Sequence, residues 1–294
     1  MTATPADAAR DFEPHRRHLV GLAYRMLGSV AEAEDAVQEA FLRWHQVDRA
    51  TVRNPRAFLS KTVTRLCLDA LKSARARRES YVGPWLPEPV LDAAALTAET
   101  ASDYAEDLSV ALMMALERLS PLERAAVLLH DVFDMEFAEV GETLGRSEAT
   151  CRQLAARARA HVRAARPRFP VSAEDGARLV EAFVAASRSG DAGALARLLA
   201  EGAVLYSDGG GKRQAALNPI RGRDKIVRFF TALARKGSLR PIVSLRAAPV
   251  NGLPGLIAVE ADGAPFTLAL DARDGAIAAI YIVSNPDKLR HVAV

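Results

Sequence analysis

One stretch governs how this chain can be built. Residues 84–107 carry six acidic residues and no basic one, and they open on Gly83-Pro84-Trp85-Leu86-Pro87-Glu88-Pro89. Proline has no backbone N–H and a fixed φ, so this spacing forbids a continuous helix or a central strand. The chain must therefore fold as blocks on either side. Basic residues outnumber acidic ones by four in residues 1–83, by one in 108–170 and by four in 171–294. The formal net charge of +3 is what remains after the acidic stretch cancels most of that excess. A second break lies at Arg166-Pro167-Arg168-Phe169-Pro170.

The blocks differ in texture. Before residue 167 the apolar spacing is helical, with few Gly or Pro inside the runs. Ser29 with Glu32 and Ser120 with Glu123 have capping-box spacing, and Pro121 occupies a first helical position, where its missing N–H costs nothing. After residue 171, helical patterns cover 172–189, 193–200 and 223–236. Short β-type runs lie at 203–207, 242–247, 256–260, 266–270 and 277–283. In the fourth run Phe266, Leu268 and Leu270 alternate onto one face, as a half-buried strand requires. The expected fold class is multidomain: two all-α blocks, the later one a helix-turn-helix, followed by an α+β domain. The expected boundaries are 8–83, a linker at 84–107, then 108–168 and 172–294.

Several function classes drop out. Half of the residues are hydrophobic, enough for real cores. The longest uncharged stretch, 247–259, has 13 residues and is interrupted by Pro249, Gly252, Pro254 and Gly255. A membrane span needs about 20 apolar residues, so no membrane partner is expected. Asp7, Arg10 and Asp11 stand where a secretory signal would need an apolar run. Cys67 and Cys151 alone make neither a disulfide framework nor a zinc site. No metal and no cofactor is expected, and a reducing cytoplasm is the expected compartment.

Three basic or polar helical faces carry the functional reading. In 135–163, Phe137, Val140 and Leu144 form a short apolar stripe, Gly145 supplies a tight turn, and Ser147 can cap the next helix. On that helix Cys151, Leu154, Ala158 and Val162 face a core, while Arg152, Gln153, Arg157, Arg159 and Arg163 lie around the other side. This is a helix-turn-helix pattern, and Arg and Gln can bond base edges in pairs while Arg neutralises phosphates. An ordinary helical hairpin with a solvated basic face would have the same spacing. After Ser29, Asp35, Gln38, Glu39 and Leu42 share a face, which would equally suit solvent or a partner. From Pro55 to Arg78, Phe58, Leu59, Val63, Leu66 and Leu71 supply a core side. Lys61, Arg65, Lys72 and Arg75 supply a basic one, suited to a phosphate backbone or to a helix C-terminus.

These residues together resemble a known family. Tyr24-Arg25-Met26-Leu27-Gly28, Ala33-Glu34-Asp35-Ala36-Val37-Gln38-Glu39-Ala40-Phe41-Leu42-Arg43-Trp44 and Asn54-Pro55-Arg56-Ala57-Phe58-Leu59 look like region two of bacterial extracytoplasmic-function sigma factors. Leu119-Ser120-Pro121-Leu122-Glu123-Arg124 with the helix-turn-helix looks like region four. Trp85-Leu86-Pro87-Glu88-Pro89, Asp208-Gly209-Gly210-Gly211-Lys212 and Asn285-Pro286-Asp287-Lys288-Leu289 match the subfamily with a fused SnoaL-like domain, a helix-backed cone of curved sheet. Cys151 stands where that family usually has Val.

The resemblance implies an alternative sigma factor, not an enzyme, with no catalytic residue. Asp35, Gln38, Glu39, Leu42 and Trp44 would bind RNA polymerase core at the coiled-coil clamp of the β′ subunit, and region four would meet the β flap. Lys61, Arg65, Lys72 and Arg75 would contact the minus-ten element of promoter DNA. Arg152, Gln153 and Arg157 would read base edges of the minus-thirty-five element, with Arg159 and Arg163 on phosphates. Trp85, Leu86, Pro87, Asp208, Gly209, Gly210, Gly211, Lys212, Asn285, Pro286, Asp287, Lys288 and Leu289 would form a regulatory contact; charge alone separately suggests the acidic linker as a partner for Lys212 and Arg213. An unknown small molecule in the cone is open. So are two alternatives: a helix-turn-helix repressor or activator with a ligand-sensing domain, and a SnoaL-like enzyme fused to a DNA-binding module.

Overall fold

The structure, a computed structural model, describes residues 5–79, 81–91, 108–162 and 172–292. The chain divides into two compact units, one from residues 1–79 and 93–166, the other from 80–92 and 167–294.

The first unit is helical. Helices α1 (Pro5–Leu27), α2 (Val30–Gln46) and α3 (Pro55–Glu79) come first. Gly28, at φ 71°, turns the chain between α1 and α2, and Ser29 Oγ accepts from Glu32 N at 3.1 Å to start α2. Leu19, Leu22, Val37, Trp44, Leu59 and Val63 are among the side chains that close this core. Then follow α4 (Val110–Glu117), α5 (Pro121–Val127), α6 (Phe137–Leu144) and α7 (Glu148–Val162). The Ser120–Glu123 capping box forms in both directions. A single π-type turn, Leu128–Val132, extends α5. Arg124 is fully buried and spends its donors inside the unit: on Leu116 O at 2.8 Å, on Met26 O of α1 at 2.5 Å and on Glu117 at 2.9 Å. Burial lowers its pKa to about 10.

The second unit is α+β. Helices α8 (Ala173–Ser189), α9 (Ala192–Leu198) and α10 (Arg223–Arg235) share one core with a six-stranded sheet. Its strands are β1 (Leu199–Asp208), β2 (Ile220–Arg221), β3 (Ile242–Ala247), β4 (Gly255–Glu260), β5 (Pro265–Arg273) and β6 (Ala276–Val283), in the order β2-β1-β6-β5-β4-β3. Among the described residues only β1 and β6 pair in parallel. The five β-type runs all become strands. Strand β1 starts at Leu199, earlier than its alternation suggests, because its register on β6 shifts between Leu199 and Val204. The helical pattern over 193–200 ends accordingly at Leu198. The two-residue strand β2 is too short to leave an alternation.

Residues 81–91 belong to this second unit. They run without helix or strand, and Leu86, Pro87, Glu88, Pro89 and Val90 are buried. Burying irregular backbone is costly unless its N–H groups find partners. Pro87 and Pro89 have none to satisfy. Leu86 N donates to Asp208 Oδ2 at 2.9 Å and Val90 N to Asn251 Oδ1 at 3.1 Å. The prolines that prevent regular structure here also reduce the cost of burying the segment.

Candidate nucleic-acid interface and the Asp208 cluster

Helices α6 and α7 form the helix-turn-helix. Gly145 ends α6 in the left-handed region at φ 63°, and Ser147 Oγ accepts from Thr150 N at 3.2 Å to start α7. Gly141 sets the closeness of the turn, because a Cβ there would lie 2.8 Å from Arg146 O. Sequence reasoning missed that role: a glycine inside a helical run shows no sign of what approaches it. Cys151, Leu154, Ala158 and Val162 are all buried, with Ala155 beside them.

The arginines of α7 divide by environment. Arg152, Gln153 and Arg157 are exposed. Arg152 pairs with Glu148 one turn back and lies 4.8 Å over the Phe137 ring, while Arg157 reaches Glu123 at 3.3 Å. Glu123 titrates below the usual carboxylate range, chiefly because Ser120 hydrogen-bonds to it. Arg159 is different. It is partly buried and grips Asp131 with two bonds, 2.7 Å and 2.6 Å, so its fork braces the turn after α5. In this structure its fork is engaged inside the unit. Arg163 lies outside the described residues.

Helix α3 presents Lys61, Arg65 and Lys72, and the Arg75 side chain lies outside the described residues. Arg65 donates to Thr143 O at 3.3 Å and Glu142 O at 3.4 Å, while Lys61 approaches Glu142 at 3.9 Å. These carbonyls end α6, where the helix dipole favours a cation. Lys72 pairs with Asp69 at 2.7 Å. Beside this contact His18 of α1 bonds Ser60 at 3.1 Å and Arg56 at 3.2 Å, with its ring edge-on to Phe133. Burial first, then Arg56, lowers its pKa to about 3.

On α2, Asp35, Gln38 and Leu42 are exposed, with Leu42 48% accessible, and Glu39 is half-buried and pairs with Arg43 at 2.8 Å. Trp44 does not join them. It is 1% exposed and packs beside Phe58 at 5.7 Å, since it follows Val37 and Ala40 on the core side of the helix. A surface contact through Trp44 is therefore corrected to a core role.

In the second unit the glycine loop, the 81–91 segment and the 285–289 turn meet at Asp208, which is fully buried. Asp208 accepts from Tyr81 Oη at 2.6 Å, Leu86 N at 2.9 Å and Gly210 N at 3.0 Å, and pairs with Lys288 at 2.7 Å. Lys288 also donates to Leu86 O and sits 4.2 Å from the Trp85 ring centre. Asn285 Nδ2 donates to Tyr81 Oη at 2.8 Å, and Asn285 Oδ1 caps the Pro286–Lys288 turn by accepting from Asp287 N at 3.0 Å. Leu289 is buried behind them. Burial and the Asp208 carboxylate push the Tyr81 phenol up. Gly209 and Gly210 are demanded by closeness: a Cβ would lie 2.2 Å from Arg213 O and from Asn285 Nδ2 respectively. Gly211, at φ 71°, lies against Val82.

The expected match between Lys212, Arg213 and the acidic linker does not form among the described residues. Lys212 pairs with Asp287 at 2.6 Å, and Arg213 pairs with Asp262 at 2.7 Å and with Glu260. Residues 92–107, with five of the linker's six acidic side chains, lie outside the described residues. Asp271, also buried, pairs with Arg273 at 2.8 Å. Neither buried aspartate lines the unit's cavity, where Glu260 is the carboxylate present. Among the described residues no cluster of His, Cys, Asp and Glu could hold a metal, and no helix is long and apolar enough to cross a membrane.

Comparison with known proteins gives a consistent picture. Residues 12–77 match the sigma-70 region 2 family and residues 109–162 the sigma-70 region 4 family. The chain is 43% identical over 289 residues to ECF RNA polymerase sigma factor SigJ of Mycobacterium tuberculosis, covering 95% of this chain and 92% of that protein. It is 32% identical over 289 residues to the probable ECF RNA polymerase sigma factor SigI of the same organism, covering 97% and 95%. The crystal structure of the M. tuberculosis extracytoplasmic function sigma factor SigJ superposes with a TM-score of 0.73 at 39% identity, over 96% of this chain and 98% of that one.

Proposed function

The chain belongs to the extracytoplasmic-function sigma factors, and from that premise we propose how its residues carry the work. It is an alternative sigma factor that binds RNA polymerase core and promoter DNA and directs transcription initiation. The cytoplasm, where polymerase works, is its place of action.

Asp35, Gln38, Glu39 and Leu42 form the docking patch for the β′ clamp. Charged side chains around an exposed leucine, an apolar anchor in a polar rim, support this reading. Region four meets the β flap. Arg152, Gln153 and Arg157 enter the major groove of the minus-thirty-five element, where bidentate donors discriminate bases. Their existing ion pairs are exposed and worth little, so DNA can replace them. Lys61, Arg65, Lys72 and Arg75 track the minus-ten backbone, and Arg163 meets a phosphate. Arg65 must first leave the α6 carbonyls it now holds, and Lys61 the Glu142 carboxylate.

The second unit modulates this activity through residues 81–91. That segment lies in sequence between α3 and α4, so anchoring it at Asp208 and Lys288 shortens the connection between the two DNA-binding regions. A small molecule bound in the second unit's cavity is a further input.

The single observation that carries the reading is the exposed Arg152–Gln153–Arg157 face on the second helix of a well-formed helix-turn-helix. Run-off transcription with purified core polymerase tests it. Promoter-specific transcripts that need both the chain and core support it. Tight duplex binding by the chain alone, without transcripts, would identify a repressor or activator instead. Replacing Trp85 by Ala should change transcript yield while leaving promoter preference as it was.

A further inference from the structure

The second unit contains a cavity of about 260 Å³. Much of its wall is apolar: Phe183 of α8, Phe229 and Phe230 of α10, Leu256 of β4, and Phe266 and Leu268 of β5. The aromatic rings are fixed against one another, Phe183 edge-on to Phe230 at 5.4 Å and Phe229 edge-on to Phe230 at 5.3 Å. A rigid apolar cavity of roughly 150 Å³ takes up benzene, so this one accommodates about two fused rings.

Polar side chains interrupt the wall, among them Ser187, Ser207, Gln214, Ser238 and Ser284. Ser207 is buried on β1 and lines the cavity. It offers a bond to a ring substituent. The charge is concentrated on other lining residues, Arg188, Arg213, Arg240 and Glu260. Arg213 spends its fork on Asp262 and Glu260, and Arg240 pairs with Asp262 and stands 3.6 Å from Glu260. Two carboxylates thus balance two guanidiniums. Arg188, in the last turn of α8, donates to Arg240 O at 3.2 Å and has no carboxylate partner among the described residues. The group carries one positive charge in excess, on an exposed guanidinium whose planar fork matches a carboxylate.

We infer that this cavity binds a mostly apolar molecule of about two fused rings carrying one carboxylate, the rings against Phe183 and Phe230 and the carboxylate on Arg188. The inference rests on the reading of the second unit as a ligand-taking module. It says nothing of polymerase, so it can fail while run-off transcription succeeds, and the reverse.

The experiment is isothermal titration of the full chain, without polymerase, using 2-naphthoate and the ring-matched cation 2-naphthylmethylammonium. We expect saturable one-to-one binding of the naphthoate, with the ammonium at least about tenfold weaker, as the loss of one charge-assisted contact implies. Arg188→Ala should weaken naphthoate about tenfold, and Arg188→Lys should restore part of the loss. Ala215→Trp, at a loop position on the lining, should abolish binding of both probes by filling the space. Thermal melting of each variant establishes that it is folded. Absence of saturable naphthoate binding to the parent chain would overturn the inference. So would equal affinity for the ammonium, indifference to Arg188→Ala, or retained affinity in a folded Ala215→Trp variant.

Discussion

Helix α7 and the Asp208 cluster use the same chemistry to opposite ends. On α7, Arg152 and Arg157 pair with glutamates in the open, where water competes for every bond and the net worth is near zero. At Asp208 the carboxylate has four partners and no contact with solvent. The exposed pairs are replaceable and suit a surface that must exchange them for DNA. The buried one holds its position because removing either partner leaves the other uncompensated. Burial, more than residue type, separates a binding face from a structural one.

The largest expected effect breaks the buried side of this contrast. Asp208→Ala strands the Lys288 ammonium and the Leu86 N–H, and should cost about 3–5 kcal/mol. Hydrogen exchange should show residues 81–91 losing protection together. If only the glycine loop loosens, the cluster is not one structural element.

Gly210→Ala is a smaller break. The new Cβ would meet Asn285 at a backbone of φ 60°, a strained region for any residue with a side chain. A loss of about 1–3 kcal/mol is expected in a thermal melt, with the melting of the first unit unchanged.

A pH measurement sharpens the comparison from the other unit. Unfolded, His18 takes a proton near pH 6.5; folded, it resists until about 3. Between those values the unfolded chain holds more protons, so the first unit is most stable above about 6.5 and weakens as pH falls toward 3. Denaturant titrations across that window should show this slope, and His18→Gln should flatten it. An identical slope in the variant would place the titrating group elsewhere.

Much of this was legible in the sequence, for physical reasons that can be named. The helical blocks, the capping box at Ser120 and the turn at Gly145 rest on local rules, so they could be read directly. Five of the six strands were visible from β-type composition, whereas β2 was too short to leave a pattern. Less was legible where a side chain's surroundings decide its role. Trp44 joins the docking patch through the family resemblance alone, whereas its angular position follows Val37 and Ala40 into the core. Arg159 resembles its neighbours until Asp131, 28 residues earlier, is placed beside it. The attraction expected between Lys212, Arg213 and the linker rested on total charge. Among the described residues these cations pair with Asp287, Asp262 and Glu260, while five of the linker's six acidic side chains lie outside them. The Asp208 motif could be quoted from sequence, but the geometry that joins it to Tyr81 and Lys288 could not.

The most direct measurement compares two arginines on one helix. Run-off transcription with core polymerase, on a matched and a mismatched minus-thirty-five element, should be paired with thermal melts of Arg152→Ala and Arg159→Ala. We expect Arg152→Ala to melt within about 0.5 kcal/mol of the parent and to lose discrimination between the two promoters. Arg159→Ala should melt earlier, because it leaves Asp131 without its fork, and should keep the parent's promoter preference in the fraction that remains folded. Retained discrimination in Arg152→Ala, or its loss in Arg159→Ala at unchanged stability, would contradict the division of α7 into a reading face and a bracing one.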